Sequence, residues 1–164
     1  MDREKLNTIF SNLSSRELYY FYMKNFPILC VDVVFLSSTK DKTLLFKRNN
    51  KPKQGSYYTM GGNLLKDESF ETAITRKTME ETGMAIDTKK LVFGGVINEI
   101  HEDSIFSEIN YHGVTLYWGY ILDDNYELKL DNQHGECKWF SVADSSIDPF
   151  VRERIDNVLK VLNK

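Results

Sequence analysis

Two adjacent carboxylates, Glu80 and Glu81, close a run that opens with the glycine pair Gly61-Gly62, GGNLLKDESFETAITRKTMEETGM. Residues three and four apart are neighbours on an α-helix, so a helix over 69–82 places Lys77, Glu80 and Glu81 on one face. Carboxylates held close together repel each other, and solvent, a proton or a divalent cation relieves the repulsion. Glycines at a strand end let the backbone approach a ligand, and a bare carbonyl there is itself a ligand for hard cations. The plainer alternative is a solvated amphipathic helix with pairs such as Arg76 with Glu80.

Few other residues carry chemistry. His134 follows Gln133 in DNQHGECKWF, and it is one of three histidines. An imidazole titrating at about 6.5 suits a general base near neutrality, although a lone loop histidine is more often a surface residue. Asp32 interrupts the apolar run ILCVDVVF, either as a hydrogen-bonded polar residue at a sheet edge or barrel rim or as a functional carboxylate. Lys47, Arg48, Lys51 and Lys53 form either a solvated charge run or a small phosphate pocket. Tyr57, Tyr58 and Trp118 read as core before they read as base-stacking residues. Cys30 and Cys137 have neither metal-ligand spacing nor the density of a disulfide scaffold and read as reduced thiols in or near the core.

These groups need elements to hold them. Leu6, Ile9, Phe10 and Leu13 fall at helical spacing, and Ser14-Ser15-Arg16-Glu17 has capping-box form, so residues 1–24 read as an N-terminal extension of one or two short helices. Runs 28–36 and 42–47 read as a hairpin of two strands, 48–58 as loop, and 91–100, 114–122 and 137–140 as further strands. Asp148-Pro149 starts a last helix with Val151, Ile155, Val158, Leu159 and Leu162 on one stripe. With 164 residues, 41% of them hydrophobic, the chain is expected to form a single domain over 1–164 with one core. Its net charge of −3 argues against general affinity for nucleic acid or anionic membranes. The charged start and the lack of a long apolar run predict a cytoplasmic chain without signal peptide or membrane span.

From Gly62 to Met84 the pattern resembles the Nudix box, G-x5-E-x7-R-E-U-x-E-E-x-G-U with U a bulky aliphatic residue. Gly62, Glu68, Arg76, Glu80, Glu81, Gly83 and Met84 match, while Lys77 replaces a glutamate and Thr78 an aliphatic residue. The resemblance implies an α/β (α+β) fold, a Nudix-like α/β/α sandwich around a mixed, largely antiparallel sheet over roughly 27–163. It also implies that Glu68 and Arg76 brace the loop and helix, with Gly62 and Gly83 as structural members of the box.

The missing glutamate is shared with one branch, the GDP-mannose mannosyl hydrolases. LLFKRNNKPKQGSYYTMGGNLLKDES, TMEETG and DNQHGECKWF resemble segments of that branch. Carried over residue by residue, the resemblance makes the Gly61 carbonyl, Glu81 and Gln133 ligands of one Mg²⁺, with Mn²⁺ as the alternative ion and Glu80 an outer-shell helper. Further metals are disfavoured by Lys77. His134 becomes the base that activates water at the anomeric carbon of a nucleotide sugar, Arg48 contacts phosphate, and Asp32 lies near the substrate. His101 aligns with a branch histidine only across a gap. Asn63 stands where the branch has a second phosphate-contacting arginine, which raises Lys66 as a substitute, and Met60 stands where it has proline. The branch suggests a homodimer. Two other readings stay open: a pyrophosphohydrolase cutting a P–O bond, and a catalytically degenerate binding module.

Overall fold

The computed structural model describes residues 13–123 and 136–164. Helix α1 (Ser15–Asn25) starts in a complete capping box, in which Ser14 accepts from the Glu17 amide and Glu17 accepts from the Ser14 amide. Strands β1 (Ile28–Leu36) and β2 (Lys42–Lys47) follow as the expected hairpin, with Phe35 opposite Leu44. Next come β3 (Tyr57–Tyr58), β4 (Met60–Asn63) and helix α2 (Phe70–Thr82). Strands β5 (Val92–His101), β6 (Tyr111–Ile121) and β7 (Cys137–Ser141) precede helix α3 (Pro149–Leu162), whose first turn is capped by Asp148.

The seven strands among the described residues form one sheet. Strand β1 runs parallel to β6 from Ile28–Gly113 to Leu36–Ile121. Its other edge is shared, with β4 beside Cys30 to Val33 and β2 beside Phe35 and Leu36, both antiparallel. The remaining pairings, β2 with β3 and β7 and β5 with β6, are antiparallel too. Hence β1 is the central strand, and Asp32 lies in its interior between Gly61 and Tyr117 rather than at an edge or rim.

Two boundaries differ from the sequence expectation. Tyr57 and Tyr58 belong to a strand against Lys47 and Phe46 instead of the loop over 48–58; a two-residue strand is too short to show periodicity. Strand β6 begins at Tyr111 rather than 114, because pairing with β5 (His101 opposite Tyr111, Ile100 opposite His112) extends it past the start of its pairing with β1 at Gly113.

Side chains alternate across β1 and sort the core into layers. Val31, Val33 and Phe35 pack with Ala73 and Ile74 of α2, Met60 and Met84. On the opposite face Val34 and Leu36 pack with Val151, Ile155 and Val158 of α3. That face continues to Ile28 and Cys30, which meet Met23 of α1 and Phe106. Asp32 interrupts it between the two apolar clusters. No helix among the described residues is long and apolar enough to cross a membrane.

Ile155 is fully buried between α3 and the sheet, whereas Val161 near the helix end is exposed. Ile155→Ala is therefore expected to lower unfolding free energy by about 2–5 kcal/mol and Val161→Ala by less than about 0.5. Urea denaturation of both variants, compared by midpoint at matched slope, checks the contrast.

Candidate functional site

The box helix is fixed at both ends. Ser69 accepts from the Thr72 amide, and Gly83 takes the left-handed conformation, φ 67°, that ends the helix. Arg76 braces the preceding loop: its Nε and Nη2 donate to the two Glu68 carboxylate oxygens at 2.7 and 2.9 Å. Nη2 also donates to the Asn63 carbonyl at 3.1 Å, and Glu68 accepts from the Leu65 amide. A bidentate pair with both partners held to backbone sets the loop's distance from the helix. Thr78 is tolerated at its aliphatic position because it is wholly buried and its hydroxyl donates to the Ile74 carbonyl at 2.7 Å.

Lys77 reaches both box carboxylates, with Nζ 3.0 Å from Glu81 Oε1 and 3.2 Å from Glu80 Oε2. Burial works against its charge, but Glu81 and Glu80 outweigh that cost and hold the ammonium above the ordinary lysine range. Glu80, paired with Lys77 and more weakly with Arg76, is held below the ordinary carboxylate range. Gly62 makes room for this arrangement, since a Cβ there would lie 2.6 Å from Lys77 Cε. Gly61 faces the other way, and a Cβ on it would collide with Asp32 Oδ1.

A cavity of about 420 Å³ opens between these groups and the loop after β2. Gly61, Lys77, Glu80 and Glu81 border it together with Lys47 and Arg48. Arg48 is oriented by donation from Nε to the Pro52 carbonyl at 2.7 Å. A second cavity of about 160 Å³ shares Arg48, Thr59 and Gly61 with the first and runs down to Asp32, Glu99, His101 and Tyr111.

The floor of this smaller cavity rests on a buried ion cluster. Arg154 Nη2 lies 2.6 Å from Glu99 Oε2 and 3.4 Å from Asp32 Oδ2. Tyr58 donates to Glu99 at 2.7 Å, Thr115 donates to its other oxygen at 3.2 Å, and Thr59 donates to Asp32 at 2.7 Å. The guanidinium lies over the Tyr58 ring, 5.2 Å from its centre, and its Nε and Nη1 have no hydrogen-bond partner among the described residues. Burial pushes the Asp32 carboxyl up to about 6, while Arg154 and the Thr59 hydrogen bond hold it from rising further. Burial also lowers His101, opposed by Glu99.

Several sequence-level candidates thus meet: Gly61, Glu80, Glu81 and Arg48 border one cavity, with Asp32 in the adjoining one. Gln133 and His134 lie outside the described residues. Lys66 is almost fully exposed, pairs with Asp67 and borders neither cavity, whereas Lys47 and Lys77 border the first. Trp118 packs on Phe70 and Phe93, and Tyr57 on Phe140. Sequence reasoning missed Arg154 and Glu99. The available signal was a charge at an inward position: Arg154 lies on the apolar stripe of α3, and Glu99 shares the inward face of β5 with buried Ile97 and His101.

The mixed sheet between α2 and α3, with a carboxylate-bearing helix following a glycine-bearing strand, defines a Nudix hydrolase fold. Residues 27–160 match the NUDIX domain family model, and the chain belongs to that family. It is 27% identical over 133 residues to the low-salt glycan biosynthesis protein Agl8 of Haloferax volcanii, covering 80% of this chain and 82% of that protein. An ADP-ribose pyrophosphatase of Methanocaldococcus jannaschii is 28% identical over 144 residues, 87% of this chain and 79% of the enzyme. Among solved structures, a MutT Nudix hydrolase from Burkholderia pseudomallei superposes with TM-score 0.65 at 20% identity, covering 80% of this chain and 98% of the other. The NUDIX domain of Shewanella oneidensis NrtR, crystallised with ADP ribose, superposes with TM-score 0.59 at 21% identity, covering 92% and 98%. At these identities the structural likeness is one of fold.

Nudix hydrolases generally use divalent metal ions. Among the described residues no three His, Cys, Asp or Glu side chains gather around a metal position. The oxygens at hand are the Gly61 carbonyl and the carboxylates of Glu81 and Glu80, all bordering one cavity. This hard, sparse donor set fits one ion that keeps several waters, and not a cluster of ions. An ion there would share Glu81 with Lys77, whose Nζ lies 3.0 Å from Oε1.

Asp32 has a consequence for stability. Its folded value of about 6 exceeds the unfolded reference of about 3.9, so between the two the folded state binds more protons and stability falls as pH rises. From pH 5 to 7 the parent should lose about 1 kcal/mol more than Asp32→Asn, which cannot ionise. Chemical denaturation of both proteins at the two pH values checks this; equal losses would remove Asp32 as the source.

Proposed function

We propose that the protein is a nucleotide-sugar hydrolase, in which water attacks the anomeric carbon and a nucleoside diphosphate leaves. The observation that carries this reading is the pair of joined cavities. One is bordered by Arg48, Lys47 and Lys77 and suits a diphosphate, and the other, lined by Asp32 and Glu99, suits a polyhydroxylated ring. The name of the Haloferax relative, a glycan biosynthesis protein, agrees with a sugar-bearing substrate.

His134 takes a proton from water as the C1–O bond forms, and the bond from C1 to the diphosphate oxygen breaks with its electron pair passing to that oxygen. Arg48 binds phosphate and Asp32 orients a sugar hydroxyl. Gly61, Glu81 and Gln133 would hold Mg²⁺, which would supply neutralisation of the leaving diphosphate, with Glu80 nearby. A diphosphate stabilised in this way leaves readily, so no separate acid is needed.

A second reading has its own support. The Methanocaldococcus relative is an ADP-ribose pyrophosphatase, which favours cleavage within a nucleoside diphosphate derivative. Against it stands Lys77, which puts an ammonium where the family pattern has a carboxylate.

Incubation with a panel of nucleotide sugars in H₂¹⁸O separates the readings: label in the sugar C1 hydroxyl is expected, and label in phosphate would establish attack at phosphorus instead. His134→Ala should lower kcat by about 10² to 10⁴ with substrate binding largely kept, and the acidic limb of the pH profile should go with it. Unchanged turnover would remove His134 from the role of base. Glu81→Gln should weaken Mg²⁺ binding and turnover together, as titration calorimetry and steady-state kinetics would register.

A further inference from the structure

We propose that Lys77 serves as a resident cation that lets the larger cavity bind a diphosphate group in the absence of any divalent metal. The inference rests on the reading of that cavity as the diphosphate seat, though not on the bond that is broken. Lys77 borders the cavity with most of its side chain covered, 20% remaining exposed, so its charge faces the cavity contents more than bulk solvent. An ammonium has three donors. Two are directed at Glu80 and Glu81, which leaves one for a ligand oxygen.

Charge balance points the same way. A cavity edged by Glu80 and Glu81 alone would repel a polyanion until a metal bound. Here Lys77 permanently offsets one of those two charges, and Arg48, held in place by the Pro52 carbonyl, presents a second cation to the same space that offsets the other. Lys47 borders it too but is exposed and engaged with Glu136 at 2.9 Å, so it contributes less. The arrangement is sterically built: Gly62 lacks the Cβ that would meet Lys77 Cε, and the lysine lies across that gap on its way to the carboxylates. Asn63, next along the strand, is neutral, and Lys66 points elsewhere, so Lys77 supplies the cation on this side of the cavity.

The test is calorimetric titration of the full chain with inorganic pyrophosphate and with a nucleoside diphosphate, GDP or ADP, in EDTA. Saturable binding with one site per chain is expected. Lys77→Gln should weaken it at least tenfold while Lys77→Arg, which keeps the charge, stays within a few-fold of the parent. Lys77→Glu should bind neither ligand in EDTA and regain binding when Mg²⁺ is added. Thermal melts establish that each variant is folded, and Lys77→Met, which also removes the charge, stands in with the same expected loss if the glutamine variant is not.

Absence of binding by the parent in EDTA overturns the proposal, as does parental affinity in folded Lys77→Gln. The outcome is separable from the fate of the hydrolase reading. Diphosphate binding in EDTA without turnover of any nucleotide sugar upholds the resident cation and sinks the reaction assignment. Turnover of a nucleotide sugar by a parent that binds diphosphate only with Mg²⁺ present does the reverse.

Discussion

The protein is organised around a guanidinium buried among carboxylates. Arg154 is fully enclosed, and it joins α3 to β5 through Glu99 and to β1 through Asp32. Removing charges from water is costly, and loss of one partner from such a cluster leaves the others uncompensated at about 3–5 kcal/mol. The hydroxyls of Tyr58 and Thr115 add hydrogen bonds to the two Glu99 oxygens and that of Thr59 adds one to Asp32 Oδ2, which offsets part of the cost of burial. Because it interrupts the apolar packing of one sheet face, the same cluster creates the polar recess above it. Stability and site geometry therefore share residues.

On the other face, the box helix is positioned by the Arg76–Glu68 brace and by apolar packing of Ala73 and Ile74 under the sheet. The helix then has one polar edge left for the cavity. In a family that generally collects metal there, this chain sets a lysine among the carboxylates. The result is a site whose charges are largely balanced before any ligand arrives.

Much of this was legible in the sequence, for identifiable reasons. The hairpin of β1 and β2 follows from two β-rich runs about a polar turn, and α3 from an apolar stripe opened by Asp148-Pro149. The neighbourhood of Lys77, Glu80 and Glu81 follows from helical spacing alone. What spacing could not show is that Lys77 docks over Gly62, since this depends on β4 being carried to the helix by its pairing with β1. Arg154 and Glu99 stayed hidden because patterning counts the apolar members of a stripe and passes over a charge among them. Asp32 was noticed as an interruption, but its partners lie on elements distant in sequence, so edge and core readings could not be told apart. The proposed base and the third metal ligand fall outside the described residues.

The glycine pair leaves one consequence for how the chain can drift. Gly61 and Gly62 are each kept bare by a different neighbour on opposite faces of β4, one by Asp32 and one by Lys77. The wall they form is main chain only, and main chain is the same whatever base or sugar a ligand carries. Among the described residues, the side chains that could distinguish one ligand from another lie in the segment after β2 that bears Arg48, Asn49 and Asn50, and in the recess beside His101. A lineage changing its ligand would be free to rewrite those stretches, whereas either glycine could change only together with a partner on another element.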